Sequence, residues 1–165
     1  MQKRLRRIGS ILIFIGLSTI ITIILENMSS RYDSLGVFDI LPKKERVVIN
    51  YLGTRVTRYL IEYTPSLAKI TVRIIDKRGL DSIIEGSELK PIVEFKEIDG
   101  LDYTFKPPKR GLYAVIIKNL GDIPIRVKIR AFYSGYDYDI IYLGIAIILI
   151  GFTLIITSIL YGKSR

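Results

Sequence analysis

The run Ile140–Leu160 is about 20 residues long and carries no charge, which is what a helix needs to cross a hydrocarbon layer about 30 Å thick. A second uncharged run, Ile8–Leu25, stands near the other end. Two such runs divide the chain into a basic tail (residues 1–7), a first membrane helix (8–25), a central domain (26–139), a second membrane helix (140–161) and a short tail (162–165). Two crossings return the chain to its starting side, so the whole central domain is expected on the other.

The first run has two readings, since a basic start before an apolar stretch also marks a cleaved signal peptide. Signal-peptide cores are usually about 7–15 residues. This run is longer, and Glu26-Asn27-Met28-Ser29-Ser30 offers no small-x-small cleavage site, so a retained helix is expected. A leader removed before the run, as in pilins, fits poorly with a second membrane helix. Orientation follows from the basic flanks, which stay cytoplasmic. Lys3, Arg4, Arg6 and Arg7 precede the first helix, and Lys163 and Arg165 follow the second. Both termini are therefore expected in the cytoplasm, in tails too short for an inside domain, with the central domain outside the cell membrane. Tyr133, Tyr136, Tyr138 and Tyr142 lie around the outer end of the second helix and Tyr161 at its inner end. Tyrosine there sets a hydroxyl among headgroups and a ring below them.

Small residues recur every seventh position: Gly9 and Gly16 in the first run, Gly144, Gly151 and Ser158 in the second. Positions seven apart share a helix face, and small residues on one face let helices approach closely in lipid. The expectation is a helix-packing seam, within the chain or between copies. Neither run holds an ionisable residue, which disfavours a pump or transporter.

The net charge of +9 misleads, because six of the 25 basic residues lie in the two tails and all 16 acidic ones lie in the middle. The middle has nineteen basic residues against sixteen acidic, a mixed solvated surface, and nucleic acid is not an expected partner. Cysteine is absent, so the domain relies on packing and not on disulfides. Histidine is absent too, which removes soft-metal sites and the commonest general base. Few Asn and Gln with abundant Lys, Arg and Glu is the pattern of proteins from hot environments, here read as a thermophilic archaeon. An AT-rich genome would account for part of the isoleucine content.

Alternation of period two dominates the middle. Ile70, Val72 and Ile74 fall on one face, with Lys69, Thr71 and Arg73 on the other. Ile123, Ile125, Val127 and Ile129 alternate with Arg126, Lys128 and Arg130. Further strands are expected at 46–51, 55–63, 92–96 and 112–118, separated by Gly- and Pro-bearing turns. Only Leu80–Leu89 could hold a short helix, which Gly86 weakens. The predicted fold is an all-β, jelly-roll-like β-sandwich of about seven or eight strands between two transmembrane helices. The stretch Gly111–Asn119, its Gly-Asp turn and the Ile123 strand resemble the closing hairpin of jelly-roll-like accessory domains, such as the GOLD domain of cargo-receptor proteins. That resemblance covers this segment alone and implies no functional residue.

For chemistry the candidates are few. Glu94, Glu97, Asp99 and Asp102 could converge as a glycosidase pair does, but solvation of a strand end and turn is the expected use. Asp99-Gly-Leu-Asp102 and Asp137-Tyr-Asp139 offer oxygen ligands without matching a calcium loop. Ser66, Ser82 and Ser87 fit no nucleophile motif. No cofactor, metal or catalytic residue is expected. Asn27-Met28-Ser29 matches a glycosylation acceptor at a helix end with little room. Arg126, Lys128 and Arg130 form a candidate binding face on a strand read as a sheet edge, where charge also blocks aggregation. The function expected is a membrane-anchored binding or structural module, an accessory subunit that meets the bilayer and a protein partner or its own copies. A small two-helix channel and an envelope glycan or lipid enzyme are the alternatives.

Overall fold

The computed structural model describes residues 2–28, 32–66 and 68–163. Its elements in chain order are α1 (Gln2–Met28), β1 (Tyr32–Ile40), β2 (Glu45–Leu52), β3 (Val56–Thr64), β4 (Ile70–Asp76), α2 (Lys77–Glu85), β5 (Val93–Ile98), β6 (Leu101–Phe105), β7 (Gly111–Asn119), β8 (Ile125–Ser134) and α3 (Tyr138–Lys163). They form two units, one of Met1–Ser30 with Gly135–Arg165 and one of Arg31–Ser134.

The first unit is the helix pair. Both helices are long and apolar enough to cross a membrane by length and composition, and both extend past the uncharged runs that announce them. Four threonine hydroxyls within the apolar segments are satisfied inside their own helix: Thr19 donates to the Ile15 carbonyl and Thr22 to Ser18, each at 2.9 Å. Thr153 does the same to Leu149 at 2.9 Å and Thr157 to Thr153 at 2.8 Å. Such back-bonding costs an apolar surrounding nothing in unpaired donors. The Asp137 carbonyl accepts from the amides of Ile140 and Ile141 at 3.0 and 3.2 Å, which starts α3. Asp139 follows in its first turn, where negative charge suits the helix dipole. Asn27 and Met28 of the acceptor motif are described only in their backbone, and Ser29 lies outside the described residues.

The second unit is a two-layer sandwich. One sheet has the order β1-β8-β3-β6 and the other β2-β7-β4-β5, with every pairing antiparallel. Each connection crosses from one sheet to the other except β4 to β5, which runs through α2. The inward faces interdigitate as alternation requires. Tyr59, Ile61, Val127, Ile129 and Ala131 come from one sheet and Ile70, Val72, Ile74, Tyr113, Val115 and Ile117 from the other, all buried. Edge-to-face rings of Phe105 and Tyr113, centroids 5.5 Å apart, add a favoured aromatic geometry.

Strand β7 departs from strict alternation. Tyr113 to Ile117 is buried throughout, because the outward side chains Ala114 and Ile116 join Ile75 in a second small core covered by Leu80 of α2, Val47 and Leu89. A continuous apolar run is what two-sided burial demands. Helix α2 starts and stops earlier than Leu80–Leu89, the stretch in which the sequence allows a short helix. The Asp76 carboxylate accepts from the Gly79 amide at 3.1 Å as N-cap. Gly86 sits in the left-handed region with φ 69°. There it closes the helix, which glycine does without the steric cost other residues pay.

Three further readings of the sequence are corrected. β1, absent from the strands expected, is a full strand paired along β8. β6 is a strand too, paired to β3. The segment read as a closing hairpin is none, since β7 and β8 lie in opposite sheets and Asn119 makes the bend between them. Its buried amide nitrogen donates to the carbonyls of Ile123 at 2.8 Å and Ile40 at 3.2 Å, and its carbonyl accepts from the Gly121 amide at 2.9 Å. Asn119→Ala strands these groups in a buried bend and should cost about 2–4 kcal/mol. Loss of denaturation midpoint for the full chain in detergent measures this, and Asn119→Asp, which lacks the donors, should be no better.

Candidate functional site

Within the helix pair the small residues meet. A methyl group at Gly9 would stand 2.6 Å from the Gly151 carbonyl oxygen, and one at Gly16 2.6 Å from that of Gly144. Reciprocally, a methyl at Gly151 would meet the Gly9 carbonyl at 2.7 Å. Backbones come this close only where side chains are missing. Ser158, third in the series, is buried, as is Ile23 of α1. The opposite faces carry Phe14, Leu25, Leu149, Phe152 and Leu160, all exposed. Gly16→Val drives carbon into a carbonyl that cannot yield and should weaken the pair by about 1–3 kcal/mol, read as reduced cross-linking between cysteines placed on the two helices. Ser18→Val, on an exposed position of the same turn, serves as the control and should leave the yield unchanged.

The tyrosines separate. Tyr138, Tyr142 and Tyr161 are exposed on α3. Tyr136 meets Tyr138 edge to face with centroids 6.1 Å apart. Tyr133 is different: it belongs to β8 and packs against the sandwich core.

The basic stripe is not at an edge. β8 lies between β1 and β3, and the register sets a charged grid on the outer face of that sheet. Lys128 stands opposite Val37 and Glu62, and Arg126 opposite Asp39 and Thr64. Arg130 turns to Glu62 at 2.6 Å with its side chain only 22% exposed. Arg126 reaches Asp39 at 3.9 Å, both side chains more than 70% exposed. Beside Arg126 and Lys128 is a hollow of about 220 Å³, lined also by Val37, Glu62, Tyr63 and Thr64. A larger hollow of about 520 Å³ adjoins α2, with Arg78, Lys90, Ser82 and Ser87 on its wall. There the Ser82 hydroxyl donates to the Arg78 carbonyl at 3.0 Å and that of Ser87 to the Ser82 carbonyl at 3.4 Å.

The carboxylates that could have formed a catalytic pair are dispersed onto separate cations. Glu94 accepts from Arg73 at 2.6 Å and Lys96 at 3.3 Å. Asp99 accepts from Lys69 at 2.6 Å. Asp102 takes both arms of Arg58, one at 2.6 Å. Glu97 occupies a positive-φ position, 54°, before the chain crosses between sheets. Among the described residues no three acidic groups gather to hold a metal. Inside the sandwich, Tyr59 is fully buried, and burial raises its hydroxyl far above the usual range. The Asn50 side chain acts on it, yet neither Asn50 Nδ2 nor the Tyr59 hydroxyl completes a hydrogen bond of ordinary geometry.

No family model matches the chain, and no curated protein matches it. Among solved structures it is similar to a mitogen derived from Yersinia pseudotuberculosis, at 15% identity and TM-score 0.44 over 64% of this chain and 87% of that one. A periplasmic inhibitor of g-type lysozyme from Aeromonas hydrophila aligns at 6% identity and TM-score 0.44, over 65% of this chain and 90% of that one. A low-affinity xylan-binding module from Roseburia intestinalis aligns at 13% identity and TM-score 0.39, over 68% and 87%. Likeness at this level carries no argument about function.

The ion pairs give the sandwich an acid limb. Hydrogen bonding from Arg58 holds the Asp102 carboxyl below its usual range, and hydrogen bonding from Arg73, with Lys96 adding to it, does the same for Glu94. A carboxylate whose pKa is lower folded than unfolded contributes stability in full above the unfolded value of about 4, and loses it as pH falls through the folded one. The thermal midpoint should therefore hold from neutrality to about pH 5 and fall below about pH 4. Asp102→Asn should shallow that fall, and an unchanged slope would remove the pair from the account.

Proposed function

We propose that this chain is a membrane-anchored binding or structural module, with both termini cytoplasmic and the sandwich outside, acting as an accessory subunit of a membrane or envelope complex. The observation that supports it is the division of surface in the helix pair. The seam uses glycine to bring backbones together, while the long aliphatic and aromatic side chains face outward and are exposed. In water that arrangement exposes apolar surface without compensation; in lipid it is the ordinary one. The basic residues in the first turns of α1, ahead of its apolar run, support the orientation. The channel reading loses support, since the Thr153 and Thr157 hydroxyls that would line a pore are bonded to their own helix. Nothing in the carboxylate arrangement favours the enzyme reading.

The chain has no cysteine, so single cysteines report location cleanly. In intact cells an impermeant maleimide should label Ser66→Cys in the sandwich and spare Lys3→Cys ahead of the first apolar run, with the chain retained in membranes after alkaline carbonate. Release by carbonate, or equal labelling of both sites, would sink the anchor. Cross-linking in native membranes should capture a partner, and recovery as a lone monomer would count against the subunit role.

A further inference from the structure

The hollow at Arg126 and Lys128 has a specific imbalance of charge. Glu62 is the one carboxylate lining it, and Arg130 already holds that group at 2.6 Å. Lys128, opposite Glu62 in register, has no ion-pair partner among the described residues. Arg126 keeps only the loose contact with Asp39 at 3.9 Å, between exposed groups, worth about 0–1 kcal/mol. Two cations thus stand on one face of β8, two residues and about 6.6 Å apart, without strong anionic partners.

We propose that this hollow binds a tetrahedral oxyanion of the phosphate type, held by Arg126 and Lys128. The guanidinium of Arg126 can donate two parallel N–H groups to two oxygens, and the ammonium of Lys128 supplies a point charge to a third. The hydroxyl of Thr64, across from Arg126 in the register, supplies a further donor. A planar carboxylate would use the guanidinium and leave the rest unmatched. A cation would meet two positive charges and a carboxylate already neutralised. The phosphate can be free or the headgroup phosphate of a phospholipid. This gives the proposed binding module a ligand class, and rests on the anchor reading only where lipid is the source.

The test uses the full chain in a maltoside detergent, which contains no phosphorus. Inorganic phosphate is titrated at constant ionic strength against chloride while the amide resonances of Thr64 and Lys128 are followed. Saturating shifts are expected, with affinity about tenfold weaker in Lys128→Gln or Arg126→Gln, the loss of one charge-assisted contact, and largely kept in Lys128→Arg. Native spectra elsewhere establish that each variant is folded. In phospholipid nanodiscs, shifts present before phosphate is added identify the headgroup as the source, and shifts that appear only on addition identify free phosphate. Absence of saturation in micelles together with unshifted resonances in nanodiscs overturns the proposal, as does saturation that both glutamine variants leave unchanged. Either result is independent of carbonate extraction, so a failed site and a failed anchor are told apart.

Discussion

One side chain joins the connections at one end of the sandwich. Because nearly every connection passes between sheets, the chain repeatedly leaves the hydrogen-bonding ladder at the rim of a buried core, where unpaired carbonyls are costly. Asn119 carries both donor and acceptor on one planar group, and it serves the end of β1, the approach to β8 and its own turn. The neighbouring backbone completes the join. The Asn119 amide donates to the Lys44 carbonyl and that of Leu120 to Lys69, each at 2.9 Å. Three connections distant in sequence are tied at one point.

The glycine seam solves the same problem differently. An α-helix satisfies its own backbone, so the helix pair has no ladder to protect and can use all its interface for contact. Apposing carbonyls at Gly9 with Gly151 and Gly16 with Gly144 spaces the helices by backbone and not by side chain. The seven-residue recurrence was visible without coordinates because helical period is a local property. So were the strands with one buried face, such as β8, whose polar and apolar residues alternate without exception from Ile125 to Arg130.

What local pattern could not show was pairing. β1 was obscured by Gly36 and by acidic residues at Asp33 and Asp39, and its strand character comes from β8 and a register shift between Ser34 and Gly36. β6 is only five residues long. The hairpin reading of β7 and β8 failed because Gly-Asp turns serve both a hairpin and a crossing between sheets, and the deciding group, Asn119, looks like any turn asparagine until the carbonyls of Ile40 and Ile123 converge on its amide. The end of α2 was misjudged for a related reason: Gly86 weakens a helix interior but completes a helix end.

The candidate face shows how far topology decides chemistry. In sequence Arg126, Lys128 and Arg130 are equivalent members of one stripe. Placing β8 between two strands gives each a different neighbour, and the neighbours divide the stripe. Arg130 is drawn down by Glu62 into a half-buried pair, and its Nε is left buried without a partner. That fixes it as part of the sheet and takes Glu62 away from Lys128. A salt bridge two residues along the strand is therefore what leaves Lys128 available. The available charge is not where the sequence is most basic but where the cross-strand carboxylate has already been claimed. A mixed, nearly balanced surface can in this way hold one unbalanced spot, and net charge alone does not locate it.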